Sequence, residues 1–289
     1  MSGLSILKLV LLGAIWGSSF LFMREATPEF GVYGLVETRT VLATLFLLPF
    51  VFLKKQWRDI TQHWPHIAVV GVINTAIPFA LFNYSSLHLE AGYNSILNAT
   101  APMFGAVIAF LWLAEKLSKM AVFGLFVGFV GVVQLSWARL ADGDVSFVPI
   151  ATALLATLCY GLTASYMKRF LQGIRPLAIA AGSQLFASIV LVPFALLTWP
   201  NEMPSQVAWL QAFTLAIVCT GLAYILYFDL IATEGPARAI TVAYLVPLFG
   251  VIWGGIFLNE RLSLPEYIGG SCIILGVALT NGWLSKRRS

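Results

Sequence analysis

Two stretches decide the fold: Pro102-Met103-Phe104-Gly105, running to Leu113-Ala114-Glu115-Lys116-Leu117-Ser118, and Pro247-Leu248-Phe249-Gly250, running to Leu258-Asn259-Glu260-Arg261-Leu262-Ser263. Pro, Phe, Gly, Leu, Glu, Leu and Ser recur in register, with a basic residue after each Glu. The copies stand 145 residues apart in a chain of 289, which reads as a duplicated unit.

Working outward, apolar residues make up 59% of the chain and charged residues 10%. A soluble domain carries roughly 25% charged residues, so lipid must solvate most of this chain. A membrane helix needs about 20 largely apolar residues. That ruler gives ten spans, near Leu4–Met23, Tyr33–Leu53, Ile67–Leu87, Gly92–Leu113, Ala121–Trp137, Val148–Leu171, Leu177–Trp199, Trp209–Ile231, Ala237–Leu258 and Tyr267–Leu284. The expectation is an all-α integral membrane protein with two five-helix units, 1–145 and 146–289.

The echo extends beyond the opening stretch. Trp16-Gly17-Ser18-Ser19 answers Tyr160-Gly161-Leu162-Thr163, so the first span is the counterpart of the sixth and not a cleaved leader. Leu47-Leu48-Pro49-Phe50 answers Leu191-Val192-Pro193-Phe194, Thr75 answers Thr220, and Gly124 and Gly131 answer Gly269 and Gly276. Five spans per unit is an odd number, so the second unit enters the membrane inverted, an arrangement common in secondary transporters.

Charge placement orients the chain. With the N-terminus inside, cytoplasmic connections carry Lys8, Lys54, Lys55, Arg58, Lys116, Lys119, Lys168, Arg169, Arg175, Arg238, Lys286, Arg287 and Arg288. The other side has Arg24, Arg139 and Arg261, and Arg39 lies within a span. Positive residues mark the cytoplasmic side, so both termini are expected there. The net charge of +4 is thus orientation information and not a nucleic-acid footprint. No G-x-x-x-x-G-K-[ST], H-E-x-x-H or C-x-x-C occurs, and Cys159, Cys219 and Cys272 are scattered through apolar runs. Neither a metal, a cofactor nor a catalytic residue is expected.

Ten spans in two units resemble the drug/metabolite transporter superfamily when each unit has Pro-x-x-Gly midway along its fourth helix and Leu-x-Glu-[Lys/Arg]-Leu-Ser at its end. Within it the chain is similar to the EamA-type exporters, through Trp16-Gly17-Ser18-Ser19-Phe20 and Arg39, and most of all to bacterial amino-acid exporters of the YddG type. The resemblance implies a basket of ten helices around a central cavity, and amino-acid efflux across the bacterial inner membrane; separately, a monomer is expected.

The residues give their own candidates. Trp16, Ser19, Phe20 and Met23 share one helix face, as do Tyr160, Thr163, Ala164 and Met167. Each face sets a ring one turn from a hydroxyl, suited to an amphipathic substrate or, alternatively, to helix packing. Asn94 and Asn98 lie one turn apart. Amides and hydroxyls facing lipid are costly, so Asn83, Tyr84, Asn98 and Tyr224 are expected to face inward. The expected substrate lining is Trp16, Ser19, Asn83, Tyr84, Asn98, Tyr160, Thr163 and Tyr224. Glu37, Arg39 and Asp229 are the ionisable groups below headgroup level. Glu37 and Arg39 point to nearly opposite faces, with Ala181 and Ser183 as their uncharged counterparts, and Asp229 is a candidate coupling group with Tyr84 as its counterpart. Pro102 and Pro247 lack a backbone donor and are expected as hinges. Gly13-x-x-x-Gly17, Gly105-x-x-x-Ala109, Gly124-x-x-x-Gly128 and Gly250-x-x-x-Gly254 are packing patterns. Three other readings stay open: an exporter of another small metabolite or drug, a channel or lipid scramblase, and an integral-membrane enzyme. The enzyme would need a convergent acid/base cluster.

Overall fold

The computed structural model describes residues 1–141, 143 and 146–281. Val145, where the first unit is expected to end, and the basic residues 286–288 lie outside the described residues. Among those described, eight helices are long and apolar enough to cross a membrane, and two further apolar helices are shorter. In chain order they are α1 (Gly3–Phe30), α2 (Val32–Leu53), α3 (Trp64–Ser86), α4 (Ala91–Leu113), α5 (Lys119–Ala141), α6 (Phe147–Phe170), α7 (Pro176–Leu197), α8 (Gln206–Glu234), α9 (Val242–Leu258) and α10 (Leu264–Thr280). All ten expected spans are present. The first runs about two turns further than hydropathy marks it, to Phe30 instead of Met23. The ninth is split, with a short helix Pro236–Ala239 before α9.

Packing follows the duplication. α1 lies on α9 as α6 lies on α4, and α3 lies on α6 and α7 as α8 lies on α1 and α2. α2 meets α7, and α5 meets α10. Exchanging the two units turns the first three kinds of contact into their counterparts and leaves α2–α7 and α5–α10 as they are. The principal contacts run between units, so each unit buries its inner faces on the other.

Small residues make that possible. A Cβ on Gly161 would stand 2.6 Å from the Gly105 nitrogen and 2.8 Å from the Phe104 carbonyl carbon. One on Gly17 would stand 2.7 Å from the Phe249 Cβ and 2.9 Å from the Gly250 nitrogen. Along α5 and α10, Gly124 meets the Gly276 carbonyl and Gly131 the Gly269 carbonyl, each 2.7 Å from where a Cβ would be. Lipid gives no hydrophobic drive between helices, so this backbone approach supplies dispersion contact that larger residues would prevent.

The repeated Leu-x-Glu has a structural meaning. Ala114 and Asn259 both adopt left-handed conformations, φ 53° and 55°, and end α4 and α9. The Glu115 amide bonds to the Ala109 carbonyl at 3.2 Å and the Glu260 amide to Gly254 at 3.1 Å, closing each helix and turning its glutamate back across the helix end. Asn adopts this conformation readily, whereas Ala114 does so at a steric cost. Ala114→Gly is therefore expected to stabilise the protein by about 1 kcal/mol, seen as a higher melting temperature in detergent.

Helix α3 contains a wide π-helical turn at Gly71–Ala76, and α8 contains one at Ile217–Leu222. Such turns leave carbonyls poorly paired. The Thr220 hydroxyl repairs one, donating to the Leu215 carbonyl at 2.8 Å.

Candidate functional site

A cavity of about 950 Å³ lies between the two units. It opens beside Glu115, Lys116, Lys168, Pro176, Ile240 and Asn281, helix ends on the same face as the N-terminus, and it ends blind among residues midway along the helices. Its size suits a small-molecule site.

Of the eight residues expected to line it, Trp16, Ser19, Asn98, Tyr160, Thr163 and Tyr224 do. Asn83 and Tyr84 do not. Asn83 is buried and donates to the Val32 carbonyl at 3.1 Å, while the Tyr84 ring lies 5.2 Å from that of His88 near the far end of α3. The miss lies in what inward means: Asn83 faces protein, but a neighbouring helix and not the cavity. Along α3 the lining residues are Val70, Asn74, Phe79 and Phe82, and the extra residue in the wide turn rotates everything after it. Asn83, the neighbour of Phe82, stands about 100° off the cavity face. Asn94, in α4, is bonded to Ser85 and Ser86 away from the cavity.

Of the three intramembrane charges, only Arg39 enters the cavity. Glu37 lies off it, with one carboxylate oxygen buried and without a hydrogen-bond partner among the described residues. Asp229 is 44% exposed and pairs with Lys8 at 2.6 Å toward the end of α8 on the same face as the N-terminus, the geometry of a rim ion pair. Sequence reasoning missed Asn74, Phe79, Cys219 and Thr220. Thr75 and Thr220, matched across the units, were the available signal, since each accepts a hydrogen bond in its π turn. Arg39 Nε donates to Thr220 Oγ1 at 2.9 Å, and Gln184 Nε2 to Thr75 Oγ1 at 3.4 Å. Gln184, one residue past the expected Ser183, therefore plays in the second unit the part that Arg39 plays in the first.

The cavity's blind end is aromatic. Phe20 meets Phe82 edge-on at 5.5 Å, and Phe82 stacks on Tyr160 at 6.1 Å. Trp16 leans on Tyr227 at 5.3 Å, and the Tyr224 hydroxyl lies against Asn74.

The two hinge candidates differ. Ahead of Pro102, α4 is interrupted at Ala99–Thr100, and Pro102 and Asn98 both border the cavity at that break. Through Pro247 the helix is continuous, and the interruption in that unit comes earlier, at Ile240–Thr241. Pro247 does not line the cavity.

The far face is shut. Glu260 accepts from the Ala91 amide at 2.8 Å and the Gly92 amide at 3.0 Å, clasping the start of α4 to the end of α9. Arg139 pairs with Glu90 at 2.5 Å and with Glu266. Burial lifts the Glu90 carboxyl above the usual range despite that pairing. On the open face Glu115, the counterpart of Glu260, is instead paired at 2.6 Å with Lys168, both well exposed. Among the described residues no group of three or more His, Cys, Asp or Glu could hold a metal ion.

Two segments, 3–137 and 148–282, match the EamA-like transporter family. The chain is 23% identical to the uncharacterized transporter YvbV of Bacillus subtilis (strain 168), covering 95% of this chain and 90% of that one. It is 24% identical to a probable terminal-alkyne amino-acid exporter of Streptantibioticus cattleyicolor, covering 98% and 95%. It is 23% identical to the uncharacterized inner membrane transporter YedA of Escherichia coli (strain K12), covering 92% and 86%. A crystal structure at 17% identity superposes with a TM-score of 0.68 over 96% of each chain, a likeness of fold.

Proposed function

Starting from the membership of this multi-pass membrane chain in the EamA-like transporter family, we propose that it exports amino acids, aromatic and other neutral ones foremost, across a bacterial inner membrane. The observation that carries this is the blind cavity, with rings and hydroxyls set side by side at its inner end. An amino acid offers a ring or alkyl group to one and polar ends to the other. The likeness to a probable amino-acid exporter supports the substrate class. The distribution of Lys and Arg supports cytoplasmic termini, and the likeness to an inner membrane transporter supports the compartment. With that orientation the cavity faces the cytoplasm, where an exporter collects its load. Units 1–145 and 146–289 then alternate access by rocking about the interruptions near Pro102 and ahead of Pro247.

Counterflow in proteoliposomes tests the reading. Vesicles loaded with unlabelled phenylalanine are expected to accumulate labelled Phe, Thr or Met saturably, and not a sugar phosphate or a nucleoside. Signal for a different metabolite class alone would replace the substrate. Linear leakage of every solute would replace the transporter with a channel.

A further inference from the structure

The cavity's blind end holds a cation without an anion. Arg39 is 7% exposed, and its Nε is used by Thr220 at 2.9 Å. One terminal nitrogen faces the Met23 sulfur at 3.9 Å, a weak acceptor, and the guanidinium carbon lies 3.8 Å from the centre of the Phe79 ring. Among the described residues every ion pair lies at or near helix ends, and none includes Arg39. Glu37, two residues back, is turned away from the cavity.

A guanidinium does not shed its proton, and burying an unpaired charge is costly. A hydroxyl, a thioether and a ring compensate it only in part. Arg39 is part of the cavity wall, and among the described residues its Nη2 nitrogen has no hydrogen-bond partner. Beside it the Ser19 hydroxyl, also buried, has the Cys219 thiol, a weak partner, as its neighbour and no oxygen or nitrogen partner among the described residues. Unused donors around one permanent positive charge form an anion receptor that the protein does not fill from its own side chains.

We propose that Arg39 receives the carboxylate of the transported substrate, with the Ser19 hydroxyl donating a further hydrogen bond. This rests on the amphipathic-substrate reading above. A phosphate fits less well: Lys116 and Lys168 stand at the mouth and bring no second positive charge to the blind end. One fixed cation matches one monoanion. Gln184, in the equivalent place in the other unit, is neutral, so the cavity has a single anion-binding end, and the substrate's apolar part is left to Phe79, Phe82 and Trp16.

The test is inhibition of phenylalanine counterflow by phenylalanine amide, which keeps the ring and amine, and by 3-phenylpropionate, which keeps the ring and carboxylate. Wild-type protein is expected to bind phenylalanine at least about 30-fold more tightly than the amide, the loss typical of a charge-assisted hydrogen-bonded pair. Arg39→Gln is expected to lower phenylalanine affinity by a similar factor and to erase the preference over the amide. Arg39→Lys, which keeps the charge without the fork, is expected to fall between. Equal inhibition of the wild type by phenylalanine and its amide would overturn the assignment, whatever the variants do. So would an Arg39→Gln protein of unchanged melting temperature that keeps the preference. Saturable counterflow of labelled 3-phenylpropionate by a protein that moves no amino acid would overturn the amino-acid reading and leave Arg39 as a carboxylate receptor. Inhibition by amines alone would overturn both.

Discussion

Replacing Glu260 with alanine is expected to open the closed face. In the structure its carboxylate holds the first two amides of α4, at 2.8 and 3.0 Å, and so ties α4 to the end of α9. A helix start presents unpaired N–H groups and a partial positive charge, which a carboxylate satisfies well. Each such charge-assisted bond contributes about 1.5–3 kcal/mol net. Losing about 3 kcal/mol would shift the balance of closed and open faces roughly 100-fold. The readout is a Ser95→Cys probe in a background free of native cysteines. Ser95 is fully buried between α4 and α9 here, where its hydroxyl bonds to the Gly92 carbonyl. Alkylation by an impermeant reagent from the outer side is expected to rise sharply with Glu260→Ala. Glu115→Ala removes only an exposed pair with Lys168, worth about 1 kcal/mol or less, and is expected to leave that labelling unchanged. Unaltered labelling in both variants would show that Glu260 is not the clasp.

Gly161→Val is expected to abolish the folded protein, and Gly17→Val to do nearly the same. The atoms that a Cβ at Gly161 would strike are backbone of Gly105 and Phe104, 2.6–2.8 Å away, and backbone cannot swing aside as a flexible side chain can. Overpacking of this kind costs about 1–3 kcal/mol in forgiving cores and more where main chain must move. Here it would push α6 from α4 and lose dispersion along the whole contact. Gly3→Val, with nothing within 4 Å, is the control. Fluorescence-detected size exclusion should show a monodisperse peak for the control and aggregate or loss of protein for the other two. A monodisperse Gly161→Val protein with normal melting would refute the close-packing account.

Much of this was legible without coordinates because lipid imposes a simple rule. Every spanning segment must satisfy its own backbone, so ten apolar runs became ten helices within a few residues. The two copies of Leu-x-Glu carried a helix cap and a returning carboxylate, visible as a repeat before its geometry was known. Lining residues were readable where the helix is regular. Trp16 and Ser19 in α1, and Tyr160 and Thr163 in α6, keep the 3.6-residue period and face the cavity as that period requires. Asn83 and Tyr84 failed because the cost of facing lipid marks a residue as inward without saying whether inward is the cavity or another helix, and Asn83 turns to the Val32 carbonyl.

By itself, then, the sequence determined the membrane setting, the number of spans, the duplication and the small residues that let the units interlock. These depend on local hydropathy and on identities that recur. Which face of the protein is shut was decided only by tertiary structure, because the repeat offers Glu115 and Glu260 the same role, and packing in a given conformation lets one of them reach a helix start. The state of Arg39 was decided there too. Whether a charge in a span is paired, lipid-facing or set at the end of a cavity depends on what the other helices bring to it. Here they bring a hydroxyl, a sulfur and a ring, and no carboxylate among the described residues.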